Sequence, residues 1–280
     1  MIISPVPHDI GVYVKEKYPS LYLEHGRLEI DDSSVKWIDS SGSVTRIPVA
    51  TIGTLLLGPG TSVTHEAIKV CGTVNCTICW IGEDSIHYYA TGKSPTADTR
   101  NLRSQAILSC DSEKALIVAR RMYANRFPDE NLSELTLNDM MLLEGRRQQR
   151  LYATCAQKYN VGWQGRSYVP GKFELSSITN KIISAENNFM YAMTLSSIIS
   201  LGYSPYLGFI HSGSPLPFVY DISDLYKAEL VVEPAFELTR KMMGEYNATV
   251  MRDNFLKKVI EFRLFEKISK DIKALLKDVS

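Results

Sequence analysis

The chain has 280 residues, 45% hydrophobic and 22% charged, an ordinary globular composition that allows one large or two ordinary domains. Lys plus Arg and Asp plus Glu number 31 each, so the formal net charge of +0 excludes an overall field that would gather a polyanion. No stretch is long and apolar enough to cross a bilayer, and no basic segment leads into an apolar core at the N-terminus. The five cysteines are an odd number, and with those absences they predict a reduced, cytoplasmic protein with no membrane association. Charge is divided slightly. Residues 1–95 hold 7 basic against 10 acidic residues, and the remainder 24 against 21.

Residues 10 to 90 read as β-rich. The pairs Leu21/Leu23, Leu28/Ile30, Val35/Trp37 and Val44 with Ile47 alternate with polar residues, and His25-Gly26, Asp31-Asp32-Ser33 and Ser40-Ser41-Gly42 punctuate them as turns. Ile52 to Leu57 and Thr77 to Ile81 read as more deeply buried strands, and Thr64 can cap a short helix through about Cys71. Cys76 and Cys79 form a CxxC without a second pair, which reads as buried thiols on a strand. Gly58-Pro59-Gly60-Thr61 lacks a following lysine and reads as a turn between strands, not a phosphate loop. The expected fold class is therefore α+β: a small β-sandwich-like domain over 1–92, a linker over 93–99, and an all-α domain over 100–280. Helical periodicity predicts helices near 100–110, 112–126, 133–158, 179–201, 217–229, 231–243 and 248–278. Glycines and a proline over 162–177 predict a mobile loop.

Four residues carry the chemistry. Met141, Glu144, Gln148, Leu151 and Cys155 step by three and four, so they share one helix face, and a carboxylate on such a face needs a partner. A structural ion pair with a nearby arginine is the simpler explanation for Glu144 alone. His211 falls at a turn before Ser212-Gly213-Ser214-Pro215, where a lone histidine is usually structural. Asp221 and Asp224 lie i and i+3 on an expected helix, and two like charges that close repel unless they are solvated or share a cation. Phe218, Val219, Tyr220 and Ile222 make that segment too apolar for a simple wet surface. Taken together, carboxylates and an imidazole with open positions suit Mg²⁺ or Mn²⁺ acting on phosphodiesters. Arg120, Arg121, Arg126, Arg146, Arg147 and Arg150 lie near Glu144, and Lys227 follows Asp224 by one turn. Most of these read as helix-surface charges; Arg147 and Lys227 are placed to share the site and meet a DNA backbone.

Over nearly its whole length the sequence resembles the CRISPR-associated adaptation integrases, and most closely their subtype I-E branch. The resemblance rests on ordered pieces. They include Leu57-Gly58-Pro59-Gly60-Thr61, Trp80-Ile81-Gly82-Glu83, Leu143-Glu144-Gly145 with Arg147, and Tyr159-Asn160-Val161-Gly162-Trp163 with Gly165-Arg166. The strongest are Gly208-Phe209-Ile210-His211-Ser212-Gly213 and Phe218-Val219-Tyr220-Asp221-Ile222-Ser223-Asp224. The resemblance implies a homodimer through the N-terminal domains, and two such dimers flanking a dimer of a small companion protein in a 4:2 complex. It implies that Glu144, His211 and Asp224 ligate the metal, that Asp221 is a further catalytic acid, and that Arg147, Lys227, His25, Arg166 and Arg252 bind DNA. The implied reaction is attack of a prespacer 3′-hydroxyl on the CRISPR repeat, with endonuclease and disintegration activity on the same groups. The sequence departs from the I-E pattern at His25, where that pattern has an aromatic wedge, and at Ser62, His87 and Ser214, where it has basic residues. A stand-alone metal-dependent nuclease on branched DNA would show the same metal site, and the sequence separates it poorly from an integrase; a non-catalytic DNA-binding scaffold fits less well, because all four acidic or imidazole positions are present.

Overall fold

A computed structural model describes residues 18–32, 34–82, 88–92, 99–167, 176–242 and 244–277. Among the described residues eight strands form two four-stranded sheets: β1 (Tyr18–Leu23), β2 (Gly26–Asp31), β3 (Ser34–Asp39), β4 (Val44–Ile47), β5 (Ile52–Leu57), β6 (Thr61–Val63), β7 (Thr77–Ile81) and β8 (Tyr88–Gly92). The first sheet has the order β1-β5-β7-β8, parallel except for β8, and the second the order β4-β3-β2-β6, antiparallel except for β6. Every residue of β5 is buried, as its unbroken apolar run requires of a central parallel strand. Strands β6 and β8 were not foreseen. β6 has only three residues, too short for an alternating pattern to register.

Period-two alternation gives the first sheet two apolar faces. Leu55, Leu57 and Ile78 join Leu28, Val35 and Trp37 of the second sheet, with Ala67 and Cys71 from helix α1 (His65–Thr73). Leu56, Cys79 and Ile81 point the other way, into the core of the helical region. Cys76 and Cys79 are buried free thiols, and burial pushes the Cys79 thiol up to about 12, so it is inert. Thr64 caps α1 through a side-chain bond from the Ala67 amide, as its sequence predicts.

Helices α2 (Arg100–Cys110) and α3 (Ser112–Arg126) match their predicted bounds, and Asp111 caps α3 by accepting from the amides of Glu113 and Lys114. Helix α4 (Leu137–Tyr159) opens with a Thr136–Asp139 capping box and ends where Asn160 turns left-handed, at φ 53°. Helix α5 (Ile178–Ser200) is buried nearly all round and forms the hub, against which α6 (Pro217–Ser223), α7 (Glu233–Lys241), α8 (Ala248–Phe262) and α9 (Leu264–Leu275) pack. Tyr22 of β1 meets Phe189 of α5 edge-on, 6.3 Å between ring centres, which ties the sheets to the helices. None of the described helices is long and apolar enough to cross a membrane.

Two expected helices are divided. The helix expected over 217–229 stops at Ser223; a turn follows, then a π-helical segment over Ala228–Val232 that runs into α7. The helix expected over 248–278 breaks at Arg263, which sits left-handed at φ 55°. Residues 93–98 of the linker expected over 93–99 and residues 168–175 of the mobile loop expected over 162–177 lie outside the described residues, as does His87.

Glu186 of α5 is fully buried, and neither carboxylate oxygen has a hydrogen-bond partner among the described residues. Burial pushes its pKa well above the ordinary value, against a weaker pull from Lys258. A raised folded pKa means the stability this group contributes is complete below its unfolded value, near 4.3, and is lost as pH rises toward the folded value. Glu186→Gln keeps the shape and removes the titration. It should be nearly neutral at pH 4.5 and increasingly stabilising above it, by about 1.4 kcal/mol for each pH unit between the two pKa values. Urea titrations at pH 5 and pH 8 measure this; an equal effect at both would refute it.

Candidate active site

The site forms where α3, α4 and the turn after α6 converge. Met140 and Cys155 are buried beneath α4, and Glu144, Gln148 and Leu151 are partly buried above them. Met141 is 43% exposed, so the inward face begins one residue earlier than the spacing suggested, at Met140. Glu144 Oε2 accepts from the Tyr123 hydroxyl at 2.9 Å, and Oε1 accepts from Arg126 Nη2 at 2.5 Å. Tyr123 and Arg126 lie i and i+3 on α3, on the face that also buries Ala119 and Met122. Tyr123 was not singled out from the sequence and Arg126 only as a nearby base. The signal was present: the apolar phase of α3 directs both inward, toward the one carboxylate of α4 that needs partners.

Asp221 is fully buried and engaged on both oxygens. Its Oδ2 accepts from the amides of Phe209 (2.6 Å) and Ile210 (3.2 Å), and its Oδ1 from the amide of His211 (3.1 Å) and lies 2.8 Å from His211 Nδ1. Gly208 allows this close approach: a Cβ there would lie 2.6 Å from Pro217 Cβ and 2.9 Å from Asp221 Oδ2. The Nδ1 bond leaves His211 Nε2 facing Asp224, whose Oδ2 is 3.6 Å away. The two aspartates thus do not meet side by side, since the imidazole lies between them. The Asp221 hydrogen bond, opposed by burial and reinforced by the charges of Asp224 and Glu144, raises the His211 pKa.

Asp224 closes α6 as its C-cap, and its Oδ1 is 3.3 Å from Lys227 Nζ. Burial disfavours the Lys227 charge, but Asp224 and Tyr191 outweigh it and raise the pKa. Burial likewise opposes the Arg126 charge, and Asp224 and Glu144 overcome it. Glu144 and Asp224 therefore each already carry a cation, Arg126 and Lys227. Among the described residues no three His, Cys, Asp or Glu side chains converge as a ready metal site. The donor set still fits a divalent ion: two carboxylates and an imidazole whose other nitrogen is fixed by Asp221, the arrangement that orients a metal-binding histidine.

A cavity of about 520 Å³ is lined by Glu144, Arg126, Arg147 and Gln148 on one side and by Asp224, Tyr226 and Lys227 on the other. Arg147 is held by Glu130 at 2.7 Å and lies 4.7 Å over the Phe127 ring. Of the sequence-predicted residues, Glu144, Asp224, Arg147 and Lys227 share this cavity, with His211 and Asp221 bonded behind Asp224. His25, Arg166 and Arg252 line other surfaces. His25 is exposed at the β1–β2 turn with φ 54°. Arg166 donates to the Asn180 side chain (2.7 Å) and to Ser184 (3.3 Å), and Arg252 lies 4.5 Å over the Tyr22 ring. Arg120 donates to the carbonyl of Leu135 in the loop before α4, and Arg121 caps the end of the Leu264–Leu275 helix by donating to the carbonyls of Leu275 and Lys277.

A family model described as CRISPR associated protein Cas1 matches residues 125–262, the span that includes Arg126, Glu144, His211 and Asp224. The chain is 55% identical over 263 residues to the CRISPR-associated endonuclease Cas1 2 of Chlorobaculum tepidum, covering 94% of this chain and 89% of that protein. It is 35% identical to the CRISPR-associated endonuclease Cas1 of Escherichia coli K12, covering 87% and 78%. The fold matches that of TtCas1 in a crystal structure of its DNA complex, with a TM-score of 0.70 at 36% identity over 93% of this chain and 97% of the other. A casposase bound to its integration product shares the fold alone, with a TM-score of 0.71 at 14% identity. With Arg126, Glu144 and Asp224 of the cavity inside the matched span and relatives of 35% and 55% identity aligned over most of the chain, the chain belongs to the Cas1 family of CRISPR-associated proteins.

Proposed function

We propose that this protein is a DNA endonuclease and integrase of CRISPR adaptation, of the subtype I-E kind, joining the 3′-hydroxyl of a prespacer to the CRISPR repeat. The observation that carries the reading is the cavity lined together by Glu144, Asp224, Arg126, Arg147 and Lys227. Carboxylates flanked by cations suit a phosphodiester more than a neutral substrate. The E. coli and C. tepidum relatives are named as endonucleases, and the TtCas1 complex contains DNA.

In this reading Glu144, His211 and Asp224 hold Mg²⁺ or Mn²⁺. When bound there, the ion supplies charge neutralisation at a phosphate oxygen and a lowered pKa for the attacking hydroxyl. Asp221 keeps Nδ1 of His211 protonated, so that Nε2 presents its lone pair beside Asp224. Lys227 and Arg147 bind phosphate oxygens next to the reacting one. The attacking O3′ forms a bond to phosphorus while the target strand's P–O3′ bond breaks. The attacking hydroxyl's proton is released, and the departing O3′ ends as a hydroxyl. DNA is the nucleophile, and no covalent link to the protein forms. Residues 1–92 would serve dimerisation and 100–280 catalysis. His25, Arg166 and Arg252 would contact DNA beyond the cavity, and a dimer of a small companion protein would join two such dimers in a 4:2 complex.

The test is transfer of a short labelled DNA with a free 3′-hydroxyl into a supercoiled CRISPR plasmid, with the companion protein and Mn²⁺. Product should form with the ion and disappear in excess chelator. Full transfer in chelator would rule out the metal, and nicking without joining would leave an endonuclease only.

A further inference from the structure

Helix α9 is strongly two-faced. Leu264, Phe265, Ile268, Ile272 and Leu275 are buried against the helical core, while Lys267, Lys270 and Lys273 follow along the exposed side at steps of three, and Lys277 follows in the turn after the helix. Elsewhere on this molecule helix-surface lysines are paired: Lys69 with Glu66, Lys158 with Glu233, Lys241 with Glu237 and Lys257 with Glu261. The four lysines of this row have no ion-pair partner among the described residues. The two acids of α9 that could neutralise them are engaged elsewhere. Glu266 pairs with Arg263, and Asp271 turns inward to accept from the Tyr226 hydroxyl at 2.7 Å. A chain of zero net charge thus keeps four positive charges together, three on one short helix and Lys277 just past its end.

The row also has a fixed relation to the candidate active site. Lys267 and Lys270 line the same cavity as Glu144 and Asp224. Tyr226, two residues after Asp224, holds α9 through Asp271, and Arg121 secures its far end by donating to the carbonyls of Leu275 and Lys277. Phe262 packs edge-on against Tyr226, and the Lys267 ammonium lies 3.6 Å from the centre of the Phe262 ring. From Lys267 to Lys273 the helix advances about 9 Å, the length of about three phosphates of one DNA strand, and Lys277 follows just past its end.

We infer that the lysine row of α9 is a phosphate-binding rail that carries one strand of duplex DNA away from the reacting phosphate. This inference rests on the reading of the cavity as the DNA site. The row reads no sequence. It fixes the path of the backbone, so the DNA phosphate in the cavity is set by contacts on both sides of it.

The test measures binding of a fluorescein-labelled linear duplex without repeat sequence, by anisotropy, across a range of salt and in chelator, so that no chemistry intrudes. Replacing all four lysines by alanine should weaken binding about tenfold or more at moderate salt. It should also lower the slope of log affinity against log salt by about three to four, one for each lost contact. The corresponding four-arginine variant keeps the charge and should bind as wild type, which guards against a merely structural effect. An unchanged salt slope in a folded alanine variant overturns the rail, as does a changed self-association with unchanged DNA binding. Asp224→Ala separates the two ideas. If it abolishes strand transfer while the alanine variant keeps its slope, the rail fails and the active site stands. If the slope falls while Asp224→Ala still joins strands, the rail stands and the active-site reading fails.

Discussion

Asp224→Ala should abolish strand transfer, by about 10³-fold or more, equivalent to at least about 4 kcal/mol of transition-state stabilisation. Asp224 is the carboxylate that touches the other parts of the site: His211 Nε2 at 3.6 Å, Lys227 Nζ at 3.3 Å, and the cavity that it lines together with Glu144. Its removal would take away one of the three proposed metal ligands and also releases the Lys227 ammonium from a fixed position. Glu144→Ala and His211→Ala should cost a similar factor, because each removes one donor from the same set. Groups that act as a unit are not additive, so the Glu144→Ala, Asp224→Ala double variant should be hardly worse than either single one. Asp224→Asn, which preserves shape and can still accept from Lys227, should also be inactive if the charge is what matters. A folded Asp224→Ala protein that integrates at the wild-type rate would sink the assignment.

The parts of the fold that were legible in the sequence are those in which local chemistry and burial agree. Helix α3 begins and ends as predicted because Asp111 caps it and its apolar phase runs unbroken to Arg126. The unbroken apolar run of β5 announced a central strand. The break at Arg263 was less legible, since no glycine or proline marks it. A weaker signal was there. Met251, Phe255 and Val259 keep one apolar phase in α8, whereas Leu264, Phe265 and Ile268 follow another, so one straight helix cannot bury both sets. The residues of the site were legible as a set, because apolar segments that carry carboxylates demand partners. The partners themselves were not, since Tyr123 and Arg126 come from another helix and three-dimensional packing alone puts them on Glu144. The two aspartates show the limit of spacing arguments. Positions i and i+3 suggested a shared cation, yet Asp221 is directed to backbone amides and Asp224 to the cavity, because the helix ends between them and the chain turns.

Asp221→Ala should lose both stability and activity, and that combination separates its role from that of Asp224. The carboxylate accepts from three consecutive backbone amides and lies against the imidazole of the third residue, all in a buried turn. Alanine leaves those amides without acceptors where water cannot replace them, at about 1–3 kcal/mol each, partly offset by relaxation of the turn. A net loss of about 3–5 kcal/mol is expected, which for a chain of this size lowers the melting temperature by about 10 °C. Asp221→Asn keeps one oxygen and puts an amide group against donors, so it should fall between wild type and alanine in stability. In both variants His211 loses the acceptor that fixes its ring, and strand transfer should fall even where the protein remains folded. Asp224→Ala, by contrast, should fold and melt close to wild type while being inactive, since Asp224 accepts no amide of that turn. Paired melting curves and strand-transfer rates at a temperature where all variants are folded decide the matter. Wild-type stability in Asp221→Ala would mean that the turn does not depend on this carboxylate, and the role of Asp221 would then have to be sought in the chemistry itself.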